Sequence, residues 1–264
     1  MVGTALRKKI PLASSFDLLQ AVENDQLVLH YQPIIDLDSG ATVSLEALVR
    51  WKHHQHGLLG PDRFLALAEN TWLGGALTAW VLEHAVSDCA TWRRGGFGAG
   101  VAVNVLPEAI TQPWLVETVA QLLELHELPG SALTIEITER RWPEELEEVG
   151  VAIEALSEIN VATSLDDFGT GDSTLSRLQD LRFSEIKIDR SFVSEASGRV
   201  QSREILRFSA ELARALGVRV VAEGVEWVSD LELVRTVGVD AVQGYLLAPP
   251  RPLEELASGF GTVR

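Results

Sequence analysis

The sequence predicts an α/β fold in which eight strands, with helices outside them, close into a barrel. Three observations predict it. Short β-branched or aromatic runs alternate with helical patterns almost to the end of the chain. Each run carries a charged or amide residue, mostly in its second half. The length, 264 residues with 46% hydrophobic and 23% charged, supplies the core of one barrel of this class.

The first two runs are Leu27–Ile35 and Val43–Trp51, joined only by Asp36–Thr42 with its Ser39-Gly40 turn. A parallel crossover takes about a dozen residues, so the first strand should run antiparallel to the second. Leu77, Val81, His84, Ala85, Asp88, Cys89 and Trp92 then lie along one side of a helix. Gly98–Val105 and Ala132–Glu139 are the third and fourth runs. Leu146, Val149, Ile153 and Leu156 mark the helix before the fifth, Asn160–Phe168, and Ser184–Arg190 is the sixth. Ile205, Phe208, Leu212 and Leu216 repeat the helical spacing ahead of Val218–Val225, and Ala241–Leu247 is the last run. Strand and helix alternation predicts a parallel sheet, hence a TIM-like (β/α)8 barrel with the first strand antiparallel to the rest. We expect an N-terminal arm or linker remnant over 1–15, the barrel domain over 16–258 and a tail over 259–264.

The formal charge of −16 disfavours a polymeric nucleic-acid partner, which needs clustered Lys and Arg. Cys89 is the only cysteine, which excludes an intramolecular disulfide and a thiolate zinc cluster and fits a reducing cytoplasm. The longest stretches free of charge, Asn70–Leu82 and Gly95–Pro107, are 13 residues each, short of the roughly 20 that span a membrane. Arg7, Lys8 and Lys9 precede an apolar stretch too short for a signal-peptide core.

Buried parallel strands should be nearly all apolar, so Gln32, Glu46, Asn104, Glu136, Asp166, Lys187, Glu223 and Gln243, one in each run, need a reason. In a parallel barrel the C-terminal strand ends converge on one mouth, where reacting groups gather. Glu46, Asn104, Glu136 and Asp166 offer oxygen only, a donor set for a hard divalent ion such as Mg²⁺ or Mn²⁺. Asp167 follows Asp166 directly, and a doublet on a strand that is ending and turning can aim both carboxylates at one place. Lys187, between Ile186 and Ile188, needs nearby carboxylates to stay charged, so it should face the acids. Arg50, four residues after Glu46 and on the same strand face, can grip a phosphate with its forked guanidinium.

Other features weigh less. Asp167-Phe168-Gly169-Thr170-Gly171-Asp172-Ser173 lacks the lysine and spacing of a nucleotide P-loop. Lys52-His53-His54-Gln55-His56 has no partner cluster that would make it a metal tract. The acids Glu144, Glu145, Glu147 and Glu148 after Pro143 suit a solvated first helical turn.

Taken in order, Tyr31-Gln32-Pro33-Ile34, Glu46-Ala47-Leu48-Val49-Arg50-Trp51, Asn104, Glu136-Ile137-Thr138-Glu139, Asp166-Asp167-Phe168-Gly169-Thr170-Gly171, Lys187-Ile188-Asp189, Ala222-Glu223-Gly224-Val225-Glu226 and Gln243-Gly244-Tyr245 match a known pattern. The chain resembles the EAL-domain phosphodiesterases of bacterial cyclic di-GMP signalling from about Phe16 to Pro252. That resemblance implies a barrel with a reversed first strand, metal held by Glu46, Asn104, Glu136 and Asp166, and a second-ion and water site completed by Asp167, Lys187 and Glu223. Glu46, Asp167, Lys187 and Glu223 are the implied catalytic set. Gln32, Leu48, Arg50 and Gln243 would line the dinucleotide pocket. Glu139 would steady the loop after Asp167, near the family's usual dimer contact, so a homodimer through that loop is expected. The implied reaction is attack of water on one phosphodiester of cyclic di-GMP, assisted by two Mg²⁺ or Mn²⁺ ions and releasing linear pGpG. A sensory or cyclase partner domain, fused or separate, is expected with it.

His54, Trp72, Leu106 and Ser184 depart from the family pattern, where a proline, a glycine, a serine and an aspartate are usual, but none removes an implied ligand. A receptor that binds cyclic di-GMP without cleaving it is the alternative, and the retained Glu46, Asp166, Lys187 and Glu223 weigh against it. A Mg²⁺-dependent lyase or isomerase with Lys187 as base is a third reading, which the ordered motifs disfavour.

Overall fold

Strand β1 (Leu27–Asp36) pairs antiparallel with β2 (Thr42–His53) along nearly its whole length, in a register that sets Gln32 opposite Glu46. The short connection foreseen from Asp36–Thr42 therefore makes a hairpin, and β1 is the reversed strand. The computed structural model describes residues 13–69, 71–138, 146–170, 181–196 and 198–256. From β2 the sheet runs in parallel through β4 (Gly100–Val105), β5 (Leu133–Thr138), β6 (Ala162–Phe168), β7 (Glu185–Ile188), β8 (Arg219–Ala222) and β9 (Ala241–Val242). Strand β9 then pairs antiparallel with β1 and closes the barrel.

Two expectations are corrected. The sheet has a ninth strand, β3 (Gly57–Leu59), which folds back on the far end of β2 and which no run announced. The last run is a strand only over its first two residues, after which the chain turns.

Helices α1 (Ser15–Glu23), α2 (Trp72–Arg94), α3 (Pro107–Ile110), α4 (Pro113–Leu125), α5 (Leu146–Glu158), α6 (Arg190–Ala196), α7 (Val200–Leu216), α8 (Val228–Val237) and α9 (Leu253–Leu256) surround the sheet. Two begin at clear caps: Ser14 and Asp17 close a capping box on α1, and Thr71 caps α2 through the Leu73 N–H. Glu147 and Glu148 lie in the first turn of α5, as expected, while 143–145 lie outside the described residues. Helix α2 buries the side marked by Leu77, Val81, Ala85, Cys89 and Trp92, and Tyr31 of β1 reaches it. The Tyr31 hydroxyl donates to Asp88 at 2.6 Å, and its ring meets Trp92 edge-on at 5.3 Å. On α7 the apolar stripe faces outward: Phe208 is 51% and Leu216 49% exposed, while Leu206, Ala210 and Ala213 pack inward.

Because strand side chains alternate, one residue in two points into the barrel, and these form three levels. Ser44, Glu185 and Arg219 stand at the N-terminal end. Ile34, Ala102, Val221 and Ala241 form a thin apolar belt. Above it lies the charged level that concerns function.

Candidate active site

Lys187 is the centre of that level, fully buried on β7. Its Nζ lies 2.7 Å from Glu223, 2.9 Å from Glu136, 3.4 Å from Glu46 and 3.7 Å from Asp166. Four acids from β2, β5, β6 and the end of β8 thus surround one ammonium, as the sequence required of a charged lysine in an apolar strand. Register explains the convergence: Asn104 pairs with Glu136, and Thr138 with Asp166, so successive parallel strands raise oxygen ligands to one height.

The imbalance shows in the titration of the group. Burial raises the Glu136 carboxyl well above its ordinary value, with Glu46 and Asp166 adding to the effect and Lys187 opposing it. Burial likewise raises Asp166 and pushes Glu223 up to about 8. Glu46 goes the other way: burial alone would raise it, but Lys187 and hydrogen bonds from Gln243 and Asn104 together hold it below the usual range. For Lys187 burial is outweighed by the surrounding acids, which keep it protonated.

Asp167 has a left-handed backbone, φ 56°, at the point where the β6–β7 register shifts. Such a conformation is uncommon outside glycine, though Asp and Asn tolerate it best, and strain of this kind clusters at functional sites. It breaks strand alternation, as expected of the doublet, and brings oxygens of Asp166, Asp167 and Glu223 within 4.8 Å of one another. Two glycines shape the neighbouring ends. Gly224, with φ 67°, follows Glu223, and a Cβ there would come within 2.3 Å of Arg190 Cβ. A Cβ on Gly244 would come within 2.1 Å of the Val225 carbonyl oxygen, so only glycine lets Gln243 sit against β8.

A divalent ion fits this donor set. The donors are carboxylate oxygens, with the Asn104 amide nitrogen turned to Glu46 Oε1 at 2.7 Å, and hard cations take such ligands. Both oxygens of the fully buried Glu136 lack a directed hydrogen bond among the described residues, its contact with Lys187 being an ion pair. Buried acceptors are normally satisfied, so beyond the Lys187 ammonium these oxygens leave room for a further cationic partner.

A cavity of about 520 Å³ opens beside the acids. Glu46, Leu48, Asn104, Thr138 and Asp167 line its mouth side, while Leu65, Leu77, Val81 and Leu106 form an apolar wall under α2. Gln32, Arg50 and Gln243 do not line it. Arg50 is half-buried and its Nη1 donates to the Val49 carbonyl at 2.9 Å. Gln32 and Gln243 are buried and bonded to each other, with Gln243 also on Glu46. Thr138 was missed in the sequence, although its place two residues after Glu136 on the same strand face was signal enough. Asp62 and Leu65 of the cavity wall come from the segment after β3 and left no periodic trace.

Glu139 and residues 171–173 lie outside the described residues, so the expected loop-steadying contact does too. Of the departures, Leu106 is an N-cap without a side-chain cap, Trp72 is the exposed first residue of α2, and Ser184 lies at the far end of the barrel. His54 stacks on His53, and among the described residues the histidine tract forms no metal group.

A barrel with one reversed strand and a ring of acids around a buried lysine defines a class of acidic barrel sites that could hold a metal ion, and likeness to known proteins narrows it. Residues 16–250 match the EAL domain, and the chain belongs to that family. It is 40% identical over 241 residues to the bifunctional diguanylate cyclase/cyclic di-GMP phosphodiesterase MucR of Pseudomonas aeruginosa, covering 91% of this chain and 35% of that protein. To the cyclic di-GMP phosphodiesterase NbdA of the same organism it is 40% identical over 241 residues, 91% of this chain and 31% of NbdA. The chain thus spans about a third of the length of the curated relatives it matches. Among solved structures, the PaMucR phosphodiesterase in its c-di-GMP complex superposes with a TM-score of 0.86 at 40% identity, over 91% of this chain and 98% of that one. The EAL enzyme Bd1971, in its cAMP- and cyclic-di-GMP-bound form, gives 0.87 at 29% identity, over 94% and 68%. No described helix is long and apolar enough to cross a membrane.

Proposed function

We propose that this chain hydrolyses one phosphodiester of cyclic di-GMP to linear pGpG with the help of two divalent ions, Mg²⁺ or Mn²⁺. The observation that carries the reading is the excess of acid around Lys187, four carboxylates to one ammonium in a buried site. Glu46, Asn104, Glu136 and Asp166 would hold one ion, and Asp167 with Glu223 the other. Bound there, such ions lower the pKa of an attacking water and draw charge from the phosphoryl group.

The residues of the chain divide the remaining work. Lys187 holds the acids together and offers its ammonium to charge building on the phosphoryl oxygens. Glu223, within 2.7 Å of Lys187 and near Asp166 and Asp167, orients the attacking water. Leu48 lines the cavity that would receive the dinucleotide, and Arg50, four residues past Glu46 but outside the cavity wall, would turn its guanidinium from the Val49 carbonyl to a phosphate. The joined cyclase in MucR's name supports a cyclase domain as partner.

Incubation of the purified chain with cyclic di-GMP and Mg²⁺ or Mn²⁺, with the products resolved by chromatography, tests the reading. Appearance of pGpG, absent with chelator and in Glu46→Ala, is expected. Tight binding without product would replace the enzyme by a receptor, and no binding would sink both.

A further inference from the structure

Gln32 and Gln243 stand one on each side of the reversed strand's closure, and their amides form a chain with a single possible direction. The Ala248 carbonyl is an acceptor only, and Gln32 Nε2 donates to it at 3.0 Å. Gln32 must therefore present Oε1 on its other side, where Gln243 Nε2 donates at 3.0 Å. The second hydrogen of that same Nε2 goes to Glu46 Oε2 at 2.5 Å. Glu46 Oε1 in turn takes the Asn104 amide at 2.7 Å. Turning either glutamine over would set oxygen against oxygen, so the ends of the chain fix both amides. Gln243 and Gln32 are only 4% and 7% exposed, and a buried carboxylate held on both oxygens has one orientation left.

We propose that Gln243 is a positioning residue for Glu46, braced by Gln32 and the Ala248 carbonyl, and acts on metal binding rather than as a contact to the dinucleotide. The Ala248 end is itself fixed, because Tyr31 and Arg251 exchange backbone hydrogen bonds at 2.7 and 3.0 Å beside it. The proposal rests on the functional reading above insofar as Glu46 is a metal ligand. Groups that orient a ligand typically change metal affinity by about 10–100-fold when removed.

Gln243→Met, close in volume and without the amide, should weaken Mn²⁺ binding, followed by electron paramagnetic resonance, by about 10–100-fold. Gln32→Met should weaken it less, and the double variant no more than Gln243→Met alone. At saturating Mn²⁺ the KM for cyclic di-GMP should stay nearly unchanged while kcat falls. Unchanged Mn²⁺ affinity with a raised KM would overturn the proposal and make Gln243 a substrate contact. A second measurement needs no metal: denaturant unfolding of Gln243→Met, Glu46→Ala and the pair in chelator should be non-additive. Additivity there overturns the proposal alone, whereas a parent chain that binds no Mn²⁺ overturns the functional reading.

Discussion

The two open ends of the barrel use the same side-chain types in different proportions. At the mouth four carboxylates crowd one ammonium. At the N-terminal end Arg219 stands 3.4 Å from Asp36 and 4.0 Å from Glu185. Ser44 and Ser184 line a cavity of about 190 Å³ beside it. Only the belt of Ile34, Ala102, Val221 and Ala241 separates the two. The lower end comes close to balancing its own charge and closes the barrel. The mouth does not, and the surplus there is what the proposed divalent ions would offset. Polarity inside a strand is therefore weak evidence for chemistry, and unbalanced buried charge is strong evidence.

The largest expected effect breaks the mouth at its centre. Lys187→Met leaves four acids without a counter-charge and should cost about 3–5 kcal/mol in the metal-free protein, read from the urea midpoint in chelator, with Mn²⁺ restoring part of it. Arg219→Met serves as the control at the other end, and an equal loss there would erase the contrast. Glu136→Gln should cut hydrolysis by about 10²–10³-fold, the scale of one lost electrostatic stabiliser. The same change should raise the metal-free urea midpoint, because one of four crowded like charges is gone.

Glu185→Gln sharpens the comparison through pH. Burial raises the Glu185 carboxyl above its ordinary 4.5, with Arg219 only partly offsetting this. A carboxyl raised in the folded state leaves stability intact below the unfolded value and removes it as pH rises through the folded one. Unfolding midpoints of Glu185→Gln and the parent should thus agree near pH 4 and diverge toward pH 8, the variant being the more stable, with hydrolysis unchanged. The smallest effect belongs to Ser44→Ala. Its hydroxyl is buried without a partner among the described residues, so its loss should shift stability by less than about 1 kcal/mol, toward neutral or gain, in a calorimetric scan.

The reversed strand was legible because the seven residues Asp36–Thr42 leave no alternative to a hairpin. The acids were legible because a strand buried on both faces tolerates no charge without purpose, and Glu46, Glu136, Asp166 and Glu223 do meet at Lys187. Strand β3 was not, since three residues after a histidine tract carry too little pattern. Helix α7 misled because its buried side is built from small residues such as Ala210 and Ala213, so hydropathy marks the opposite face. The relay through Gln243 escaped for a different reason. It ends on the Ala248 backbone carbonyl, and a carbonyl oxygen has no letter in a sequence.

The reversed first strand also decides by which door the chain enters. Strand β1 begins where β2 ends, Leu27 pairing with Trp51, and α1 lies there, with Ser15 hydrogen-bonded to the Leu67 carbonyl. In a barrel wound in one sense throughout, the first strand starts at the end remote from the chemistry. Here the polypeptide enters the barrel on the rim that carries the acids, and it leaves along the same rim, where Arg251 pairs with Tyr31 near Ala248. Both leads of the barrel therefore lie on the side of Gln32 and Gln243, the residues bonded toward Glu46.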